Sequence, residues 1–190
     1  MRIFLVALSL WFSVMPLWAA ESQTVDTGRV NAQIVSTHNV VAPGQSFHIA
    51  LRTQLDEGWH TYWRNSGDSG EPVQITWLAP ETLTHGEIVW PLPETIATGP
   101  IINYGFEGRP YFPVEFKVSE TARPGDVLFI EADVYYLVCA DICVPEGTKL
   151  SVQLFVGEPE FDNRWNDAIA YALSTAPKYG EVGGGAVKDG

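Results

Sequence analysis

The segment VLFIEADVYYLVCADIC, residues 127–143, decides the fold, because it holds both cysteines of the chain at the point where a long apolar run ends. Residues 127–138 are rich in β-branched and aromatic side chains, which are typical of strands. Downstream, apolar and polar residues alternate over residues 149–156, which is the period of a half-buried strand. The pattern predicts a β-hairpin whose turn lies at residues 140–142.

In this hairpin Cys139 and Cys143 lie directly opposite each other. Opposed residues of antiparallel strands have Cα atoms roughly 4.5 to 5.5 Å apart, and a disulfide needs about 4.4 to 6.8 Å. The sequence therefore predicts a cross-strand disulfide. Turns of this length normally include a left-handed glycine, but this one offers only Ala140, Asp141 and Ile142, so we expect a strained turn and an easily reduced bond. A small ring also stabilises the fold less than a long one, which favours a redox function over a structural disulfide.

In the rest of the chain, apolar and polar residues alternate over short segments, and residues typical of turns separate these segments. Strands are predicted at residues 28–36, 46–53, 58–63, 73–77, 87–90 and 112–118, and extended loops at residues 64–72 and 91–100. Strands that recur roughly every eight to twelve residues, with almost no helical periodicity between them, indicate an antiparallel β-sandwich.

The C-terminal part has helical periodicity. Asp162 is a suitable N-cap, and Pro177 and Gly180 would end the helix. One apolar stripe is formed by Phe161, Trp165, Ile169 and Leu173. We expect a C-terminal helix within residues 158–176 and a flexible, glycine-rich linker at residues 177–190.

The N-terminus has the features of a secretory signal peptide. Arg2 precedes an apolar run, and Ala19 and Ala20 offer small residues for cleavage. We expect a signal peptide at residues 1–20 and one folded domain at residues 21–157, with an uncleaved membrane anchor as the alternative. No later segment is apolar enough to span a bilayer, so no membrane insertion is expected after signal removal. Export would place the cysteines in an oxidising compartment.

Composition and motifs exclude several function classes. The net charge of −12 and a pI near 4.6 disfavour binding to nucleic acids and to anionic membranes. Phosphate-binding glycine motifs, zinc-type Cys or His pairs and the Gly-x-Ser-x-Gly elbow are all missing from the sequence, so neither a cofactor nor a metal site is predicted. In thioredoxins the cysteine pair lies at the N-terminus of a helix, which lowers the thiol pKa, whereas here a strand follows the cysteines. We therefore expect thiols that react slowly until a partner docks.

Three segments together resemble a known family: Tyr135 to Gly147 (YYLVCADICVPEG), Trp59 to Gly70 (WHTYWRNSGDSG) and Tyr104 to Gly108 (YGFEG). Over roughly residues 30–156 the chain resembles the N-terminal periplasmic domain of the DsbD family of thiol:disulfide interchange proteins, and it is most similar to the ScsB branch. The resemblance implies an immunoglobulin-like β-sandwich located in the periplasm.

The resemblance also implies a protein-disulfide reductase activity. The cysteine pair would take electrons from a membrane-embedded donor and pass them to thioredoxin-like periplasmic oxidoreductases. Full-length members contain membrane and C-terminal thioredoxin-like domains, which this sequence does not contain. We therefore expect either separate partner polypeptides or a longer parent protein.

Site residues follow from the same resemblance. Cys143 is expected to be the nucleophile and Cys139 the resolving thiol. Tyr104 and Phe106 match an aromatic cap loop that would swing open on neighbouring glycines, with ordinary core packing as the alternative for both rings. Glu107 and Asp141 are candidates for assisting proton transfer at the thiols, or are simply solvated loop charges.

Two functions of other classes stay open. One alternative is that the two thiolates bind Cu(I) with the aid of His60, although the histidines are scattered along the chain. The domain could also be a binding sandwich with a structural disulfide. A bond that can be reduced without unfolding the protein would distinguish a redox domain from this last alternative.

Overall fold

The computed structural model describes residues 20–177. Within this range the chain forms thirteen strands and one helix. They are β1 (Val25–Asp26), β2 (Val30–Ser36), β3 (His38–Val41), β4 (Ser46–Leu55), β5 (His60–Gly67), β6 (Gln74–Leu78), β7 (Leu83–Ile88), β8 (Glu94–Thr98), β9 (Ile101–Glu107), β10 (Tyr111–Val118), β11 (Val127–Cys139), β12 (Cys143–Val156), β13 (Glu160–Phe161) and α1 (Asn163–Thr175).

The strands form two sheets. One has the order β1-β2-β4-β10-β7, and the other has the order β13-β3-β12-β11-β5-β9-β8, with β6 also paired to β11. All of these pairings are antiparallel except β3 with β12, which is parallel. The predicted immunoglobulin-like sandwich with a short C-terminal helix is confirmed, and the single parallel pair makes one of its sheets mixed.

The core lies between the inner faces of the two sheets. Ile34, Leu51 and Phe116 from the first sheet and Ile130 and Leu154 from the second are completely buried. Burying a side chain of this size contributes about 1.5 to 3 kcal/mol to the free energy of unfolding. Apolar packing therefore holds the two sheets together without help from the disulfide, which lies at one end of the β11–β12 hairpin.

Three segments differ from the sequence prediction. Strand β5 continues to Gly67 inside the predicted loop at 64–72, and β7 ends at Ile88 rather than covering 87–90. Strand β8 lies inside the predicted loop at 91–100. The prolines of that segment flank β8 without interrupting it, and β8 is an edge strand, where nearby prolines are tolerated.

Helix α1 covers the outer face of the first sheet. The Asp162 side chain accepts a hydrogen bond from the Arg164 backbone N–H, as expected of an N-cap. Ile169 is fully buried against Val35 and Ala50. The helix starts later than the predicted range 158–176, because residues 160 and 161 pair with β3 as β13 instead.

Most of both predicted terminal segments, the signal peptide at 1–20 and the linker at 177–190, lies outside the described residues. Ala20 is described, and it is buried with its carbonyl 2.7 Å from the Ser36 backbone N–H. Between residues 20 and 177, the structure contains no helix with the length and apolar character needed to span a membrane.

Candidate functional site

The two cysteines terminate a long regular hairpin. Strands β11 and β12 pair residue for residue up to Cys139 opposite Cys143, and the two sulfurs form a disulfide with Cα atoms 4.1 Å apart. The predicted cross-strand disulfide is thus confirmed. The turn contains no left-handed residue, because within residues 20–177 only glycines have positive φ, and the expected ease of reduction stays a prediction. The turn instead places the Ala140 N–H 3.0 Å from the Ile142 carbonyl oxygen.

The two cysteines differ in exposure. Cys139 is only 2% exposed, because β11 has β12 on one side and β5 on the other. Cys143 is exposed at the start of β12, next to the hairpin turn. Another protein can therefore reach the Cys143 sulfur far more easily than the Cys139 sulfur.

Four residues stand in register across four neighbouring strands. Cys143 on β12 is opposite Cys139 on β11, Cys139 is opposite His60 on β5, and His60 is opposite Glu107 on β9. Directly opposed residues project from the same face of a sheet. We call these four residues the cysteine row, and they place an imidazole and a carboxylate beside the disulfide.

Tyr62 lies over this row. It follows His60 by two residues, its ring is 1% exposed, and its hydroxyl oxygen is 3.8 Å from the Cys143 sulfur. Burial raises the pKa of the Tyr62 hydroxyl above its usual value of 10, and a hydrogen bond with Ser69 opposes this shift. The hydroxyl is therefore protonated at neutral pH and can donate to a thiolate at Cys143.

Residues 68–72, which we call the cover segment, hold Tyr62 in place from outside. The Gly70 backbone lies so close to the Tyr62 ring that a Cβ at Gly70 would overlap it, and the φ angle of 90° at Gly70 also favours glycine. The cover segment is fixed to β9, where the buried Asn103 Oδ1 accepts hydrogen bonds from the Ser69 N–H at 3.0 Å and the Ser69 hydroxyl at 3.2 Å.

His60 is the buried member of the row next to Cys139. It is 5% exposed, and its Nε2 atom has no hydrogen-bond partner among residues 20–177. Burial lowers the pKa of His60 below 6.5, while the negative charge of Glu107 acts in the opposite direction. The imidazole is therefore neutral at neutral pH.

The predicted cap residues lie elsewhere. Phe106 is opposite Thr61 in the β5–β9 pairing, so its ring projects from the opposite face to the cysteine row and packs on Phe112 with ring centroids 5.3 Å apart. Tyr104 shares that face by strand alternation and is 37% exposed. Gly105 lies within the β5–β9 pairing, and a Cβ added there would overlap the Thr61 carbonyl oxygen. The aromatic ring over the pair belongs to Tyr62.

The two candidate carboxylates are both exposed. Glu107 ends the cysteine row next to His60, and Asp141 lies in the hairpin turn two residues from Cys143. Between residues 20 and 177, His, Cys, Asp and Glu side chains form no group of three or more that could hold a metal ion.

A polar network fixes the hairpin close to the cysteines. Glu146 accepts hydrogen bonds from the Thr27 hydroxyl at 2.6 Å and from the Arg29 backbone N–H at 3.0 Å. The Tyr136 hydroxyl is 2.8 Å from the Thr27 hydroxyl, and burial raises the pKa of Tyr136 to about 12. These contacts attach the cysteine end of the hairpin to the β1–β2 connection independently of the disulfide.

The fold is similar to that of a solved periplasmic domain. The N-terminal periplasmic domain of ScsB from Proteus mirabilis superposes with a TM-score of 0.60 and 21% sequence identity, over 84% of this chain and 60% of that chain. The chain thus spans less than two thirds of that structure. The N-terminal domain of DsbD from Neisseria meningitidis in the reduced form matches with a TM-score of 0.35 and 12% identity, over 68% of this chain and 90% of that chain.

Sequence comparison gives the family. A comparison with curated proteins finds no match. Residues 31–154 match the family model described as thiol:disulfide interchange protein DsbD, N-terminal, and this range includes β3 to β11, most of β12 and both cysteines. The chain belongs to the family of DsbD N-terminal domains.

Proposed function

We propose that this chain is a periplasmic protein-disulfide reductase domain that relays electrons from a membrane-embedded donor to thioredoxin-like proteins through Cys139 and Cys143. One observation carries the proposal: a single disulfide joins an exposed sulfur to a buried one, so that one sulfur is available to partners and the other is available to resolve the intermediate. Family membership and the predicted signal peptide support the redox chemistry and the location.

The exchange begins in the reduced form. The Cys143 thiolate attacks one sulfur of the partner disulfide, the partner S–S bond breaks, and a mixed disulfide forms. Cys139 then attacks the Cys143 sulfur, the mixed disulfide breaks, and the partner leaves with two thiols. Both electrons have passed to the partner, and the Cys139–Cys143 bond has formed again. The donor reduces the Cys139–Cys143 disulfide through the same steps in reverse.

Tyr62 contributes to the first step. Its protonated hydroxyl lies 3.8 Å from the Cys143 sulfur and can donate a hydrogen bond to the thiolate. A hydrogen bond to the charged form of a group favours that form. Tyr62 therefore increases the fraction of Cys143 that is ready to attack, in a site where Glu107 and Asp141 supply only negative charge.

The domain should stay folded when the Cys139–Cys143 disulfide is reduced. The ring closed by the disulfide has a sequence separation of only 4 residues, for which chain entropy gives about 2 kcal/mol. Domains of this kind have unfolding free energies of about 5 to 15 kcal/mol. The core and the Glu146 network remain intact on reduction, so both cysteines keep their positions in the strands.

The proposal is tested by electron transfer to a protein partner. Reduced protein is mixed with an oxidised, thioredoxin-like periplasmic protein that has a Cys-x-x-Cys pair, and the thiols of both are counted by alkylation with a mass-shifting maleimide. We expect the partner to be reduced stoichiometrically, and faster than glutathione disulfide at equal concentration. The variant with both cysteines changed to serine is the control. Partner reduction no faster than with free dithiothreitol at the same concentration would contradict the relay.

A further inference from the structure

We propose that His60 accepts the proton of the Cys139 thiol when Cys139 attacks the mixed disulfide. The inference rests on the proposed exchange function and assigns a proton acceptor to its second step. It concerns a residue that the sequence analysis considered only as an additional copper ligand.

The position of His60 is the first reason. Its backbone lies directly opposite Cys139 in the β5–β11 pairing, so both side chains project from the same face at adjacent positions. The β5 strand is held there by the Thr61 hydroxyl, which donates to the Leu137 carbonyl at 3.1 Å. His60 is thus fixed beside the resolving sulfur.

The unpartnered nitrogen is the second reason. His60 is 95% buried, given its 5% exposure, and Nε2 has no hydrogen-bond partner among residues 20–177. Leaving a buried polar atom unpaired costs about 1 to 3 kcal/mol. A disulfide sulfur has no hydrogen to donate, whereas reduction creates an S–H group at Cys139. Reduction therefore places a hydrogen-bond donor on the residue directly opposite His60, where the oxidised form has none.

The chemistry of Cys139 is the third reason. A free thiol with a pKa near 8.5 is only about 3% ionised at pH 7, and burial in apolar surroundings lowers this fraction further. The titratable and charged groups around His60 are Cys139, Cys143, Tyr62 and Glu107, with Arg64 four residues along β5 and Asp141 in the hairpin turn. Glu107, the nearest carboxylate in register, disfavours a thiolate by its negative charge. The neutral imidazole of His60, directly opposite Cys139 on the neighbouring strand, is the group placed to accept the proton.

The step balances as follows. The Cys139 S–H bond breaks and its proton moves to Nε2 of His60. The sulfur electron pair of Cys139 forms the bond to the Cys143 sulfur, and the bond between Cys143 and the partner sulfur breaks. The partner sulfur leaves as a thiolate and takes a proton from solvent. The imidazolium of His60 then returns its proton to solvent, so two thiols have been oxidised and one disulfide reduced.

The expected pH dependence has a definite sign. His60 accepts a proton only when it is neutral, and its pKa lies below 6.5 because burial disfavours the charged form. In the wild-type protein, the attack of Cys139 on the mixed disulfide should therefore stay fast down to about pH 6.5. Its rate should fall as the pH drops through the pKa of His60. Without His60, the rate should instead rise about tenfold per pH unit up to the thiol pKa near 8.5.

The test separates the two steps by stopped flow. Reduced protein is mixed with equimolar 5,5′-dithiobis(2-nitrobenzoate), and the release of thionitrobenzoate is followed at its absorbance maximum. Attack by Cys143 releases the first equivalent, and attack by Cys139 on the mixed disulfide releases the second. In His60→Gln we expect the second phase to slow about 100-fold at pH 7, the lower end of the general-base range, and the first phase to change less than twofold.

Two controls make the result specific. His38→Gln removes an equally buried histidine on β3, and both phases should keep their wild-type rates. The wild-type pH profile of the second phase is an independent readout that needs no variant. An unchanged second phase in His60→Gln, or a wild-type profile governed by a pKa near 8.5, would overturn the role of His60. A wild-type protein that releases only one equivalent would overturn the relay itself.

Discussion

Cys143→Ser is expected to abolish exchange with a protein disulfide, whereas Cys139→Ser should perform the first attack and stop at a stable mixed disulfide. The reason is the difference in exposure, because Cys143 is accessible and Cys139 is 2% exposed. Loss of a nucleophile costs at least on the order of 10³-fold in rate. Loss of the resolving thiol leaves the first step intact and removes the group that would release the partner.

The measurement is non-reducing electrophoresis and intact mass after mixing each reduced variant with the oxidised partner. Cys139→Ser should accumulate a complex with the summed mass of both chains that dissociates on addition of dithiothreitol. Both variants should unfold at similar temperatures, which serves as the control for folding. A covalent complex that forms with Cys143→Ser and not with Cys139→Ser would reverse the assignment of the two roles.

Gly70→Ala is expected to have a large effect on both stability and the rate of disulfide reduction. A residue with a side chain at a φ of 90° costs about 1 to 3 kcal/mol, and forcing a methyl group into the Tyr62 ring adds about 1 to 3 kcal/mol. The substitution must displace either the cover segment or Tyr62. Displacing Tyr62 uncovers the side of the disulfide that its hydroxyl contacts. A cost of about 1.4 kcal/mol raises the population with Tyr62 displaced about tenfold, so the disulfide should be reduced up to about tenfold faster by a small phosphine.

Gly125→Ala is the matched control for this change. Gly125 has a φ of 95°, and a Cβ there would meet nothing within 4 Å. In Gly125→Ala the free energy of unfolding, measured by urea denaturation, should fall only by the cost of a side chain at this φ angle. Its disulfide should be reduced at the wild-type rate. If Gly70→Ala behaved like Gly125→Ala in both measurements, the cover segment would not protect the cysteine pair.

The central hairpin could be predicted from sequence because its signals are local. The apolar run before Cys139, the alternation after Cys143 and the short spacing between them specify two strands and a turn. The N-cap at Asp162 and the stripe through Ile169 are equally local, and both were found in the structure. The turn closes without any left-handed residue, and the predicted ease of reducing the disulfide stays a prediction.

The cover over the disulfide could not be predicted because it depends on pairing between distant strands. The face to which Phe106 projects is set by its register with Thr61, and no local pattern determines that register. Strand alternation places Tyr62 on the same face as His60. Its approach to Cys143, however, requires β5 to lie beside β11 and Gly70 to pack on its ring.

The most direct test of the account is the reduction potential of the Cys139–Cys143 pair, measured in a glutathione series while circular dichroism follows the fold. We predict a midpoint between about −270 and −120 mV, the range of exchanging thiol pairs, with an unchanged β-sheet spectrum in the reduced form. A midpoint below about −300 mV, or loss of the spectrum on reduction, would contradict the relay and identify the bond as a structural disulfide.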